Sequence, residues 1–150
     1  VKHERYITML SPEQTAALPE RSFEVVILHS VSQYLSAAQL DELLKLFRRL
    51  LHPSGKLVIG DVVQPGTPAW KDAIALLRFG WREGFFLAAL GGLFRTALSD
   101  YSRLRKDAGL SRYSERDMLA KLDAAGFRGK RQTDNIGHLQ TRMTFVAAPH

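Results

Sequence analysis

His29, Ser30, Tyr34 and Asp61 are the side chains whose types and places could do chemistry. His29 and Ser30 follow the apolar run Val25 to Leu28, and in open α/β sheets ligands sit beyond the carboxyl ends of the strands. An imidazole titrates near neutrality, which suits His29 to take the proton of an attacking hydroxyl. A cleft-lining role is equally open to it, since group transfer can need little more than an acceptor held in line. Tyr34 follows one helical turn later, and Asp61 stands near the end of the next apolar run. His29, Tyr34 and Asp61 are therefore the candidate catalytic residues.

Other chemistries find no support. His3, His29, His52, His138 and His150 show no ligand-type spacing, so no metal site is expected. The chain has no cysteine, which excludes disulfides, thiolate metal sites and a cysteine nucleophile. Neither a glycine-rich phosphate loop nor a G-x-S-x-G elbow occurs.

The elements that must position these residues lie between Phe23 and Asp61. Val25 to Leu28 is an unbroken aliphatic run, as expected of a parallel strand buried on both faces. Ser36 and Gln39 form a capping box. From there Leu40, Leu43, Leu44, Phe47, Leu50 and Leu51 recur at three- and four-residue intervals, the stripe of a helix packed on a sheet. His52-Pro53-Ser54-Gly55 stops that helix, and Lys56 to Val63 reads as the next strand, joined by a right-handed crossover. Upstream, Tyr6 to Leu10 is rich enough in β formers to be an entering strand, ended by Ser11-Pro12-Glu13, which caps a short helical turn. Downstream, Ser114 and Asp117 open a helix that Gly126 closes, and two strands, about 128–133 and 142–147, form a final hairpin.

These phrases resemble the carboxyl half of class I S-adenosylmethionine-dependent methyltransferases. The matching residues are Leu18-Pro19 before Ser22-Phe23-Glu24-Val25-Val26, then Leu28-His29-Ser30-Val31 and Gln33-Tyr34-Leu35. They continue with Leu50-Leu51-His52-Pro53-Ser54-Gly55-Lys56-Leu57, Asp61, and Ala124-Ala125-Gly126-Phe127. Glu24 and Ser54 depart from the family's usual Asp and Gly. The resemblance implies an α/β, Rossmann-like methyltransferase sheet, mostly parallel, with a closing antiparallel hairpin and a helical insert. It implies S-adenosylmethionine as cofactor, Ser11 or Glu13 near its adenine, and His29 and Ser30 lining its cleft. The family's first two strands and their glycine-rich turn have no counterpart here. This chain alone is thus expected to bind S-adenosylmethionine weakly or not at all and to be inactive by itself.

Residues 67–110 form a helix-compatible insert opened by Thr67-Pro68, too long for a plain connection. Its aromatics leave three readings open: a core or dimer-forming helical pair, a lid over an apolar or aromatic acceptor, and peripheral membrane contact through residues 78–95. Under the lid reading Trp81, Phe85, Tyr101 and Arg103 would touch substrate. Asn135, His138 and Arg142 are further polar groups that could face the same mouth, with surface solvation as the alternative for each.

Length and composition bound the rest. The 150 residues make one domain, 1–150, and 45% hydrophobic content suffices for a core. The net charge of +6 is spread among acids, so no nucleic-acid partner is expected. Phe85 to Phe94, the longest apolar run, is about half the length that spans a bilayer, and a cytoplasmic protein is expected. Val1 at the start is compatible with a trimmed or partial polypeptide. Without an inner neighbour, the Val25 strand would present an apolar edge that invites a homodimer or a segment-exchanged oligomer. The second functional reading is accordingly a noncatalytic module for dimerisation or for an apolar ligand.

Overall fold

The computed structural model describes residues 7–66, 74, 77–78, 81–82, 84, 86–88, 90–92 and 110–150. Helix α1 (Pro12–Ala16) precedes strand β1 (Phe23–His29), a 3-10 turn (Ser32–Tyr34) and helix α2 (Ala37–Leu50). Strand β2 (Leu51–Val62), helix α3 (Glu115–Ala124), β3 (Phe127–Arg131) and β4 (Met143–Pro149) complete the order. The four strands form one sheet in the order β1-β2-β4-β3. It is a mixed sheet: β1 and β2 pair in parallel, while β2–β4 and β3–β4 are antiparallel. The crossover and the closing hairpin are thus both present.

Helices α1, α2 and α3 each start where a serine supplies the missing acceptor. Ser11, Ser36 and Ser114 accept from the third helical N–H, and Gln14, Gln39 and Asp117 return a bond to the cap backbone. The hydrogen bonds from Ser114 hold the exposed Asp117 carboxyl below its ordinary pKa. Its contribution to stability is therefore present above the usual aspartate range and fades as pH falls through the lowered pKa.

The core lies on one side of the sheet. Leu40 and Leu44 of α2 and Met118 and Leu122 of α3 pack on Leu28, Leu57, Ile59, Phe145 and Ala147. The two helices are tied by Lys121 to Asp41 at 2.7 Å. Burial of Val25 to Leu28 on both faces, expected from its unbroken apolar run, does not occur. Leu28 is 6% exposed, but Val25 is 52% and Ile27 63%, because no described element covers that second face.

Two boundaries also differ from expectation. Residues 7–10 are irregular, with Ile7 and Met9 exposed, so the described part of the Tyr6–Leu10 segment is no strand. Strand β2 begins at Leu51 rather than Lys56, because Leu51 already pairs with Phe23 before an irregularity restores the register at Val25 and Lys56. Of the insert, the few described residues are helical apart from Gly84, and the rest of 67–109 lies outside the described residues.

One-sided burial has a measurable consequence. Leu44→Ala should destabilise the protein by about 2–5 kcal/mol in urea unfolding, as a cavity in a closed core does. Ile27→Ala on the open face should cost under about 1 kcal/mol. Equal losses at the two positions would show that the second face is covered in solution.

Candidate functional site

Two adjacent strand ends carry backbone that L residues rarely adopt. Ser30, just past β1, has φ 57°, and Asp61, near the end of β2, has φ 63°. Left-handed backbone at a non-glycine residue costs on the order of 1 kcal/mol and persists only where neighbours enforce it. The two residues enforce each other. The Ser30 hydroxyl donates to Asp61 Oδ2 at 2.8 Å, and the Ser30 N–H donates to Gly60 O at 3.2 Å.

A second layer comes from the segment between β3 and β4. The Asp61 N–H donates to Asn135 Oδ1 at 3.1 Å, and Asn135 Nδ2 lies 3.4 Å from Asp61 Oδ1. The fully buried Thr144 hydroxyl donates to the same Asn135 oxygen at 2.7 Å and accepts from the Ile136 N–H at 3.0 Å. Gln140 bridges the loop, accepting from Asn135 N–H and donating to the Asn135 and Gly137 carbonyls. The aspartate is therefore fixed through both its backbone and its carboxylate.

His29 completes the group. Its side chain is exposed, and its ring lies over backbone that has no room for a Cβ. A Cβ built on Gly60 would stand 2.6 Å from His29 Nδ1 and 2.5 Å from Ile136 Cδ1. One built on Gly137 would stand 3.3 Å from His29 Cε1 and 3.7 Å from Asp61 Oδ1. The imidazole thus occupies a slot between two glycines, with the aspartate carboxylate beside the same glycine.

A third wall crosses the strand ends. Ser111 N–H donates to Gln33 O and Tyr113 N–H to Val63 O, while the Ser111 hydroxyl donates to Leu35 O at 2.6 Å. Behind it, Ser32 Oγ, Gln33 Oε1 and the Tyr113 hydroxyl are buried with no hydrogen-bond partner among the described residues. Buried polar atoms nearly always find partners, which sets these three apart.

Of the residues singled out from sequence, His29, Ser30 and Asp61 come together, and Asn135 joins them as their support. Tyr34 is on the adjacent turn, 57% exposed. Ser11 and Glu13 are bonded to each other at 2.7 Å within the α1 cap. That helix is tethered by Arg49, at the end of α2, to the Ala16 and Leu18 carbonyls. Trp81 is 75% exposed and meets Phe86 edge to face at 5.4 Å, and Phe85, Tyr101 and Arg103 lie outside the described residues. Gly60, Gly137, Gln33 and Tyr113 are the positions that the sequence reading left without a role. Only the Gly60-Asp61 pairing at a strand end carried a local signal for one of them. Among the described residues no cluster of metal-ligating side chains occurs, and no helix is long and apolar enough to cross a membrane.

No family model and no curated protein matches the chain in sequence. Solved structures do match in shape. The carbon methyltransferase CurJ is 20% identical, with a TM-score of 0.53 over 91% of this chain and 31% of its own. LepI in complex with S-adenosylmethionine is 13% identical, with a TM-score of 0.52 over 89% of this chain and 28% of its own. CalO1, a methyltransferase of calicheamicin biosynthesis with S-adenosylhomocysteine bound, is 16% identical, with a TM-score of 0.50 over 85% and 30%. The chain has a class I methyltransferase-like fold, and it spans less than half the length of the structures it matches.

The network makes a specific demand on Asn135. Asn135→Ala leaves the Asp61 N–H and the buried Thr144 hydroxyl without their acceptor, a loss of about 1–3 kcal/mol by chemical denaturation. The amide resonances of Ser30 and Asp61 should shift with it. Unchanged amides at both positions would mean that the strained pair holds itself.

Proposed function

We propose that this chain is the carboxyl-terminal part of an S-adenosylmethionine-dependent methyltransferase acting on a small, apolar or aromatic hydroxyl acceptor. The observation that carries it is the strained Ser30–Asp61 pair at two parallel strand ends, with His29 held beside it, in a fold shared with methyltransferases. Strain of this kind collects at functional sites. The orphaned polar atoms of Ser32, Gln33 and Tyr113 suit a ligand rich in donors and acceptors, as an adenosyl group is.

S-adenosylmethionine, when bound, supplies a methyl group on a sulfonium, which an in-line nucleophile can take. The residues of this chain prepare the nucleophile. His29 would accept the acceptor's hydroxyl proton, leaving the oxygen as the nucleophile. Nδ1 lies against Gly60, so Nε2 is the ring nitrogen assigned to the proton. Asp61 and Ser30 hold the rim of the cleft, and Tyr34 borders it. The insert's Trp81, exposed and packed edge to face on Phe86, supports an apolar acceptor.

Ser11 and Glu13 hydrogen-bond each other in the α1 cap, and the exposed Glu13 carboxylate keeps acceptor capacity for the adenine amino group. The glycine-rich turn of the resembled family has no counterpart on this chain, so the ligand meets only part of its cleft here. Titration of isotope-labelled protein with S-adenosylhomocysteine should show a dissociation constant on the order of 1 mM. The shifts should be confined to residues around 29–34, 61–63 and 111–113. No shifts at saturating ligand would sink the cofactor assignment, and tight stoichiometric binding by calorimetry would sink the view that the cleft is incomplete.

The noncatalytic alternative, an assembly module, is favoured by a different observation, the open apolar edge of β1.

A further inference from the structure

Nothing polar orients the His29 ring. Among the described residues no hydrogen bond to its imidazole is found. The torsion that turns a histidine ring has a broad, two-fold profile, so an imidazole without a partner samples a wide range of orientations. A base has to keep one of them, since its nitrogen must come within hydrogen-bond reach of the proton it takes. Packing is the remaining means of holding it.

The segment between β3 and β4 supplies that packing. The place where a Cβ of Gly60 would stand is shared by His29 Nδ1, at 2.6 Å, and by Ile136 Cδ1 and Cγ1, at 2.5 and 2.7 Å. Imidazole and isoleucine thus lie together on one glycine. The next residue limits the ring at the neighbouring atom, for a Cβ on Gly137 would stand 3.3 Å from His29 Cε1. Ile136 itself has little freedom. Its N–H donates to Thr144 Oγ1 at 3.0 Å, and Thr144 is fully buried in β4. The preceding Asn135 is 6% exposed, and its side-chain amide is bonded to the Asp61 N–H, the Thr144 hydroxyl and the Leu139 carbonyl. A β-branched side chain is stiff at χ1, so holding this backbone also holds the aliphatic chain in place. The tripeptide Asn135-Ile136-Gly137 therefore reaches both strand ends, the asparagine at Asp61 and the other two residues at His29.

We propose, on the proton-accepting role given to His29 above, that Ile136 is a positioning residue, which pins the imidazole on Gly60 in the orientation that proton transfer uses. The loop then has a second task besides carrying Asn135. Glycine at position 60 belongs to the same device, because any Cβ there would take the space that the two side chains share. Orientation matters out of proportion to the size of the contact, since a displacement of about 1 Å can cost about 100-fold in rate.

The order of the ring reads the contact directly. With carbon-13 at Cε1 of histidine, relaxation of the wild-type chain should give His29 an order parameter of about 0.85, that of rigid backbone, and Ile136→Ala should lower it below about 0.6. Ile136→Val, which keeps one γ-methyl but lacks Cδ1, should fall between the two. Leu44→Ala opens a cavity in the core that α2 shares with the sheet, and it should reduce stability while leaving the ring order unchanged. A wild-type ring already below about 0.6, a ring unchanged in Ile136→Ala, or equal release by Leu44→Ala overturns the proposal. Titrating the same samples with S-adenosylhomocysteine separates the positioning of His29 from the cofactor assignment. Cofactor shifts together with a free wild-type ring overturn the positioning alone. An ordered ring that Ile136→Ala releases, with no shifts at saturating ligand, supports Ile136 as the clamp and overturns the cofactor assignment.

Discussion

The whole structure depends on the parallel pairing of β1 with β2 and the helix that makes it necessary. Parallel neighbours cannot be joined by a hairpin, so the chain must cross over, and α2 is that crossover. Its stripe, Leu40 and Leu44 above all, packs on Leu28, Leu57 and Ile59 and orients both strands the same way. Their carboxyl ends therefore emerge side by side. Ser30 and Asp61 can share a hydrogen bond only because of that alignment, although 31 positions separate them.

Stability and function pull on the same few residues there. Left-handed backbone at Ser30 and Asp61 is unfavourable locally, and the structure offsets it with Asn135 and Thr144, brought in by the antiparallel hairpin. The hairpin thus closes the sheet and also buttresses the cleft. His29 depends on the absence of side chains at Gly60 and Gly137, so its placement is a matter of backbone approach rather than of a hydrogen-bond partner. The ring is left exposed, as the proposed role of proton acceptor requires.

The uncovered face and edge are the counterpart of a fold present only in part relative to the structures it resembles. A sheet with helices on one side leaves Val25 and Ile27 in water, which is costly for β-branched residues on an edge without guarding charges. Fold alone assigns no reaction, and the proposed methyl transfer is argued from the strained pair and the histidine together with the shape.

The amino-acid sequence by itself determined the order of elements, the three capping boxes, the crossover and the closing hairpin. All of these rest on interactions within a few residues: a serine beside its own helix, or apolar residues at a helical or strand period. It also marked His29, Ser30 and Asp61, because strand ends are legible in an apolar run that stops. The sequence could not show that Val25 and Ile27 stay exposed, since an unbroken run looks the same whether one face or both are covered. Nor could it show the 3.1 Å bond from Asp61 to Asn135, or the glycine slot around His29. Those contacts join residues distant in the chain, Asp61 with Asn135 and His29 with Gly60 and Gly137, and only tertiary packing decides which distant atoms come within reach.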